Sequence, residues 1–385
     1  MDKMAGPLDY LRWRGDLSFK QKQYNSVDGA ILASIAYLPF DESIVGHSLK
    51  EACERILALY SGSLDLHRKT ETRLLVKSPR FADLKILDWT SRLEAEPAPL
   101  QFAALTLQLD KNTILISFRG TDSSVVGWNE DMIMNYSYQI YGQTVARDYL
   151  EAMADKFKNC KIYITGHSKG GHYAIHSLAA ARYDVQDRVI NALSFDGPGY
   201  RSVFAESAGF KRAIDKMRTY VPESSVFGIM LDHPERTLVV KSVYPMMHQH
   251  TPLNWSVGRN SFVLAEGLTT SARIIRHALI QFNQSIPAEK RGQLWSAIFL
   301  AFENMDITDM NVFTEHRIRG TWTLGKVVMG MDPEVRQVAT EMIKLIYQSA
   351  KNNYLPFSEG DFSACPKSND SSKAPIFFES YNFKD

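Results

Sequence analysis

The run Gly166-His167-Ser168-Lys169-Gly170 sets a hydroxyl between two glycines, directly after the strand-like stretch Ile162, Tyr163, Ile164, Thr165 and directly before a helix-like segment that opens at Gly171. A chain that leaves a strand and enters a helix within one tight turn pushes the central side chain out into a cleft. Glycines two before and two after let neighbouring backbone approach with no Cβ in the way. The helix start just beyond Ser168 aims unpaired N–H groups at any anion forming there. Such a turn serves nucleophilic attack by a serine oxygen on a carbonyl. Pentapeptides of this pattern also recur by chance, so the strand before and the helix after carry most of the weight.

An acyl-transfer serine needs a base for its proton, a carboxylate to hold that base, and donors where the oxyanion develops. The strand over 114–118 ends in Arg119-Gly120-Thr121-Asp122. The Thr121 N–H, with its hydroxyl, is one candidate donor, and the N–H of Lys169, the residue after the serine, is the second. An ordinary strand-ending turn would read the same way. For the acid, Asp196 ends the strand over 190–195, and Gly197-Pro198-Gly199 turns the chain away, so the carboxylate emerges at the same sheet edge as Ser168. Asp-Gly is also a common turn pair, and Glu223 and Asp232 are the other candidates. For the base, His250 follows a strand over 238–243 and keeps the order serine, acid, histidine; His248 is the rival.

No metal or cofactor is expected. His248 and His250 could share an ion, but no carboxylate or cysteine cluster stands near them in sequence. His172 and His176 are one helical turn apart, yet Tyr173-Ala174-Ile175 between them lacks the glutamate of a zinc-protease pair. They read as packing or surface residues. His167 reads as a support for the turn, and Lys169 as a charged surface residue of which only the N–H matters.

The elements that must hold these residues alternate. Two strand-like runs over 101–110 and 113–118 flank the turn residues Asp110, Lys111 and Asn112, which predicts a hairpin. A helix over 144–157, a strand over 161–165, a helix over 170–183, a strand over 189–195, a helix over 204–216 and strands over 217–221 and 238–243 follow. That alternation predicts an α/β class with a mostly parallel sheet covered on both faces. Residues 1–84 read as a helical region packed on the core: Val27, Ile31, Leu32, Ile35 and Leu38 have helical spacing, as do Leu49, Ala52, Ile56 and Leu59. The core spans 85–261, a second helical region 262–355, and a polar, mobile tail 356–385. The connection over 123–141 is unusually apolar; Trp128, Met132 and Ile133 have helical spacing and favour a core-facing helix.

The run Phe118-Arg119-Gly120-Thr121, then Trp128 and Asp131, then GHSKGG, resembles class 3 lipases, whose corresponding run is FRGT, a tryptophan, an aspartate and GHSxGG. More narrowly, DYLRWRGD at 9–16, QFAAL at 101–105, FRGTD at 118–122, TGHSKGG at 165–171, FDGPG at 195–199 and Gln249-His250 resemble a bacterial branch of lipase-like hydrolases over about residues 8–260. The resemblance implies an α/β-hydrolase fold and esterase-type chemistry, but no particular substrate. It favours His250 as base, because family members carry Gln-His before a tryptophan, here Trp255. It also implies a lid after the oxyanion turn, which would put residues 123–141 against an acyl pocket. One departure stands out: class 3 lipases take the acid after the second strand beyond the elbow, and Pro222-Glu223-Ser224-Ser225-Val226 holds no aspartate. Asp196 would instead resemble the placement in pancreatic-type lipases.

Bulk composition narrows the alternatives. The 385 residues are 45% hydrophobic, enough for a substantial core, and 44 basic against 43 acidic side chains give no field that would draw nucleic acid. Three scattered cysteines, Cys53, Cys160 and Cys365, fit a reducing compartment, and no apolar leader or spanning-length segment stands out, so a cytoplasmic enzyme is expected. Its partner would be a small-molecule or lipid ester, with transient contact at a membrane surface compatible with that substrate. The expected function is a serine hydrolase of carboxylic esters; the alternative is an inactive binding or scaffolding protein that keeps the fold.

Overall fold

The computed structural model describes residues 4–244, 246–304 and 328–351. Four helices come first: α1 (Pro7–Arg14), α2 (Ser26–Ile35), α3 (Leu49–Tyr60) and α4 (Leu66–Val76). A seven-stranded sheet follows, with β1 (Lys85–Glu94), β2 (Leu100–Asp110) and β3 (Thr113–Phe118), then α5 (Val125–Met134), α6 (Tyr141–Lys156), β4 (Lys161–His167), α7 (Lys169–Ala180), α8 (Tyr183–Arg188) and β5 (Val189–Phe195). Short helices α9 (Ser202–Ala205) and α10 (Ala208–Ala213) lead to β6 (Met217–Pro222) and β7 (Arg236–Val240). The chain then forms α11 (Thr270–Ser285), α12 (Ala288–Asn304) and α13 (Pro333–Lys351).

The strands lie in the sheet in chain order, the first three antiparallel and β3 to β7 parallel. Each parallel step moves the same way. Right-handed crossovers therefore all fall on one face, where Leu150, Tyr173, Leu178 and Phe210 pack on Phe102, Ile116, Phe118, Ile162 and Ile164. The opposite face would be left bare. It is covered by the first four helices, whose Tyr10, Val27, Ile31, Leu32 and Leu75 share a core with Ala103, Leu105, Leu115, Leu193 and Phe195. Strand alternation deals residues to the two faces, and each buried Leu, Ile or Phe contributes about 1.5–3 kcal/mol. Helix α2 is buried from Val27 to Ile35 and lies so close that Ser117 Oγ donates to Leu32 O (2.9 Å) and Thr165 Oγ1 to Gly29 O (3.0 Å).

The hairpin and the alternating elements appear where the sequence predicts them, within a few residues. Strand β1 does not appear in the sequence pattern: it is half exposed and carries a bulge between Ile86 and Asp88, which breaks its period of two. The single helix expected over 204–216 is broken into α9, α10 and a short 3₁₀ turn. The third region makes its own core of Ala278, Phe282, Leu294, Val338 and Leu345, onto which Val125, Trp128 and Met132 of α5 fold, while Ile133 turns to the sheet. The expected tail at 356–385 lies outside the described residues. Among the described residues, no helix is long and apolar enough to cross a membrane.

Buried charges tie the N-terminal helices together. Arg80 grips Asp28 through two bonds (2.6 and 2.7 Å), and the Tyr10 hydroxyl of the DYLRWRGD run donates to the same carboxylate (2.9 Å). In α4, Glu71 is fully buried against Ser34 Oγ (3.1 Å) and Arg68 (3.5 Å), and burial pushes its carboxyl up to about 7. A carboxyl raised in the folded state stabilises the fold below its unfolded value and loses that contribution as pH rises through its folded value. Glu71→Gln should therefore gain on the wild type by up to about 3 kcal/mol between about pH 4.5 and 7, read from urea unfolding across that range. Parallel curves for the two proteins would contradict the assignment.

Candidate active site

Ser168 stands between β4 and α7 with φ 58° and ψ −132°, a conformation that costs a non-glycine residue on the order of 1–3 kcal/mol. Its surroundings over-determine it. The Ser168 N–H donates to Phe195 O (2.9 Å), and Ser168 O accepts from Gly171 N–H (2.8 Å) and His172 N–H (3.2 Å). A Cβ at Gly166 would run into the Gly170 carbonyl, and one at Gly170 into the Phe118 carbonyl, so the spacing read from sequence is a steric requirement. No side chain caps the start of α7, and among the described residues the Lys169 and Gly170 N–H groups ahead of Gly171 have no protein acceptor.

Asp196 ends β5, also at positive φ (52°), and is buried. Its Oδ1 accepts from Ser225 Oγ–H (2.5 Å) and Gly228 N–H (3.2 Å), while Oδ2 meets His250 Nδ1 at 2.7 Å. A carboxylate accepts, so Nδ1 carries the proton and Nε2 of His250 is left as an acceptor. The segment bearing His250 is pinned separately: Trp255 Nε1 donates to Gln249 O (2.6 Å) and Ser224 N–H to Gln249 Oε1 (2.9 Å). The Phe227 ring lies 4.5 Å from the imidazole, and Trp128 lies 6.2 Å beyond it. Among the described residues no hydrogen bond joins Ser168 Oγ to His250; such bonds are commonly long in free enzymes and tighten on binding substrate.

The rival residues go elsewhere. His248 is exposed and its carbonyl accepts from Asn254 Nδ2 (2.8 Å). The Glu223 amide donates to Val240 O (3.0 Å), and Asp232 pairs backbone to backbone with Tyr200 (2.7 and 3.1 Å). Among the described residues neither carboxylate has a side-chain hydrogen bond to His248 or His250. His172 and His176 are both buried packing residues: His172 binds Gln143 Nε2 (2.8 Å) and the Pro198 and Gly199 carbonyls, its imidazole pushed down to about 4 by burial, and His176 stacks on Phe204 at 4.3 Å. Among the described residues no group of three or more His, Cys, Asp or Glu side chains could hold a metal ion.

The oxyanion candidates bring two corrections. The Thr121 hydroxyl donates to Asp131 Oδ2 (2.5 Å), so its single proton is spent and only the Thr121 N–H remains to face an oxyanion. Among the described residues neither that amide nor the Lys169 amide has a protein acceptor. Lys169 is not a surface residue. It is 1% exposed, and Nζ donates to Glu130 Oε2 (2.7 Å), with Asp131 Oδ1 at 3.8 Å. Glu130 in turn accepts from Tyr173 Oη (2.9 Å) and from Gln101 N–H (3.1 Å). Burial raises the Asp131 carboxyl to about 6 against the opposing pull of Lys169. Glu130 does not enter the sequence reading, and Tyr173 and Gln101 enter it only as residues of a helix and a strand; the one signal for Glu130 is an acidic pair, Glu130-Asp131, inside an otherwise apolar run.

A serine strained at a strand-to-helix turn, an aspartate at the end of the next strand and a histidine beyond the last strand, on a mostly parallel sheet, are carried by a lipase-like α/β-hydrolase fold. The chain belongs to the Mbeg1-like family, whose profile matches residues 75–300. Solved structures with a similar course include lipase II from Rhizopus niveus, 14% identical over 67% of this chain and 88% of that one, TM-score 0.36. Others are the Rhizomucor miehei lipase with its propeptide (17%, 55% and 66%, 0.35) and the Lip2 lipase from Yarrowia lipolytica (12%, 62% and 82%, 0.33). A comparison with curated proteins gives no match.

Removing the cation from the buried pair leaves Glu130 uncompensated. Lys169→Met should cost about 3–5 kcal/mol of stability, and Lys169→Met with Glu130→Gln should recover most of it, both read by chemical denaturation. A single variant as stable as the wild type would show the pair to be energetically silent.

Proposed function

We propose that the protein is a serine hydrolase that cleaves a carboxylic ester through an acyl-serine intermediate. Ser168 Oγ attacks the carbonyl carbon while His250 Nε2 takes its proton. The Thr121 and Lys169 N–H groups receive the oxyanion, and His250 returns the proton to the leaving alcohol. Water then repeats the sequence on the acyl-serine and releases the acid. Asp196 holds the imidazole in the tautomer that keeps Nε2 free, and stabilises the imidazolium.

The 2.7 Å bond between His250 Nδ1 and Asp196 Oδ2 carries this reading, because it pairs a carboxylate with the candidate base although Pro222–Val226 holds no aspartate. It also weighs against the inactive-scaffold alternative, which rested on that missing acid. The apolar rings of Phe227 and Trp128 beside the base, together with the apolar run over 123–141, favour an acyl ester of lipid type, such as a lysophospholipid or a short acylglycerol. A cytoplasmic setting and transient contact with a lipid surface belong to the same proposal.

A fluorophosphonate probe should label the wild type and leave Ser168→Ala unlabelled. On p-nitrophenyl esters of graded length, Asp196→Asn should lower kcat by about 10³–10⁴ and His250→Ala by at least as much, while Glu223→Gln and Asp232→Asn stay near the wild type. An unlabelled, folded wild type would sink the proposal. Full activity in Asp196→Asn would move the acid elsewhere.

A further inference from the structure

Tyr37 follows α2, some 130 residues before the serine, yet its hydroxyl reaches the backbone of the site. Its oxygen lies 2.9 Å from His167 Nδ1 and 3.3 Å from His167 O, and it packs closely against Gly120. The fit is tight enough that a Cβ at Gly120 would run into the phenolic oxygen. His167 Nε2 in turn lies 2.8 Å from the carbonyl oxygen of His250, and the two imidazole rings are 4.5 Å apart. A carbonyl only accepts, so Nε2 carries the proton, Nδ1 is the acceptor, and Tyr37 O–H is the donor. The direction of the whole chain is fixed.

We propose that Tyr37 is a positioning residue that sets the oxyanion turn, the nucleophile turn and the base in register, a role that rests on the serine-hydrolase reading above. Its contacts fall on Gly120, which precedes Thr121; on His167, which precedes Ser168; and through His167 on His250 itself. The phenol is itself held. Arg68 of α4 lies 5.0 Å over its ring while donating to Ser34 O and Oγ (2.5 and 2.7 Å). Occupying Nδ1 also keeps His167 from taking a second proton, so no like charge arises beside His250 when that ring becomes imidazolium; burial and His250 both hold the His167 pKa well below the usual histidine range. The N-terminal helices thus complete the site as well as cover the sheet.

Tyr37→Phe keeps the ring and removes only the hydroxyl. It should lower kcat on a p-nitrophenyl ester by about 10- to 100-fold, the scale of a misplaced reacting group, with KM within about twofold and fluorophosphonate labelling slowed in step. His167→Ala should behave alike, the double variant should be no worse than either single one, and His167→Gln, which can still donate to His250 O, should recover part of the rate. Wild-type kcat in Tyr37→Phe, or additive losses in the double variant, would overturn the proposal. Histidine ¹⁵N NMR tells this failure from that of the hydrolase reading. If the wild type is as inert as Ser168→Ala, the hydrolase reading falls. The positioning chain then stands only if His167 shows a protonated Nε2 and a hydrogen-bonded Nδ1 that Tyr37→Phe releases.

Discussion

The one-way march of the parallel strands is the constraint on which the rest of the architecture depends. Because β3 to β7 succeed one another in chain order, handedness sends every crossover to the same side, and a sheet with one bare apolar face is not a stable object in water. The first four helices answer that need. Their arrival on the second face brings α2 within hydrogen-bonding distance of β3 and β4, and it carries Tyr37 to the edge where the serine, the acid and the histidine emerge. Covering the sheet and framing the site are thus one act of packing.

The site itself is a set of local strains and buried charges held by neighbours. Ser168 and Asp196 both sit at positive φ, and each is locked by backbone or hydroxyl partners that leave few alternatives. The Lys169–Glu130 pair works at longer range: it ties the residue after the serine to α5, whose next residue, Asp131, holds the Thr121 side chain. Two candidate donor segments that are 48 positions apart in sequence, Thr121 and Lys169, are thereby bridged through a single acidic dipeptide. Buried ion pairs seldom add much net stability; here the pair ties the start of α7 to α5 and, through the neighbouring Asp131, to the turn at Thr121.

Much of this is legible in the sequence where the cause is local. The glycines around Ser168 declare a close approach, the β–α alternation declares the sheet, and Asp196 stands out as a candidate because it ends a strand and Gly-Pro-Gly then turns the chain away. Where the cause is distant, the residues give no sign. Tyr37 looks like any tyrosine after a helix, since its neighbours arrive from positions 120 and 167. Lys169 reads as a surface charge because its counter-charges lie on another helix. Strand β1 hides behind a bulge and a half-exposed face, which remove the alternation by which strands are recognised.

Helix α5 belongs to two neighbourhoods at once. Its acidic side grips the turn at Ser168, while Val125, Trp128 and Met132 sink into the core formed by α11, α12 and α13. A fragment trimmed back to the sheet and its nearer helices would turn those three side chains out toward water. Apolar surface on α5 that the distal helices now cover would then be free to self-associate.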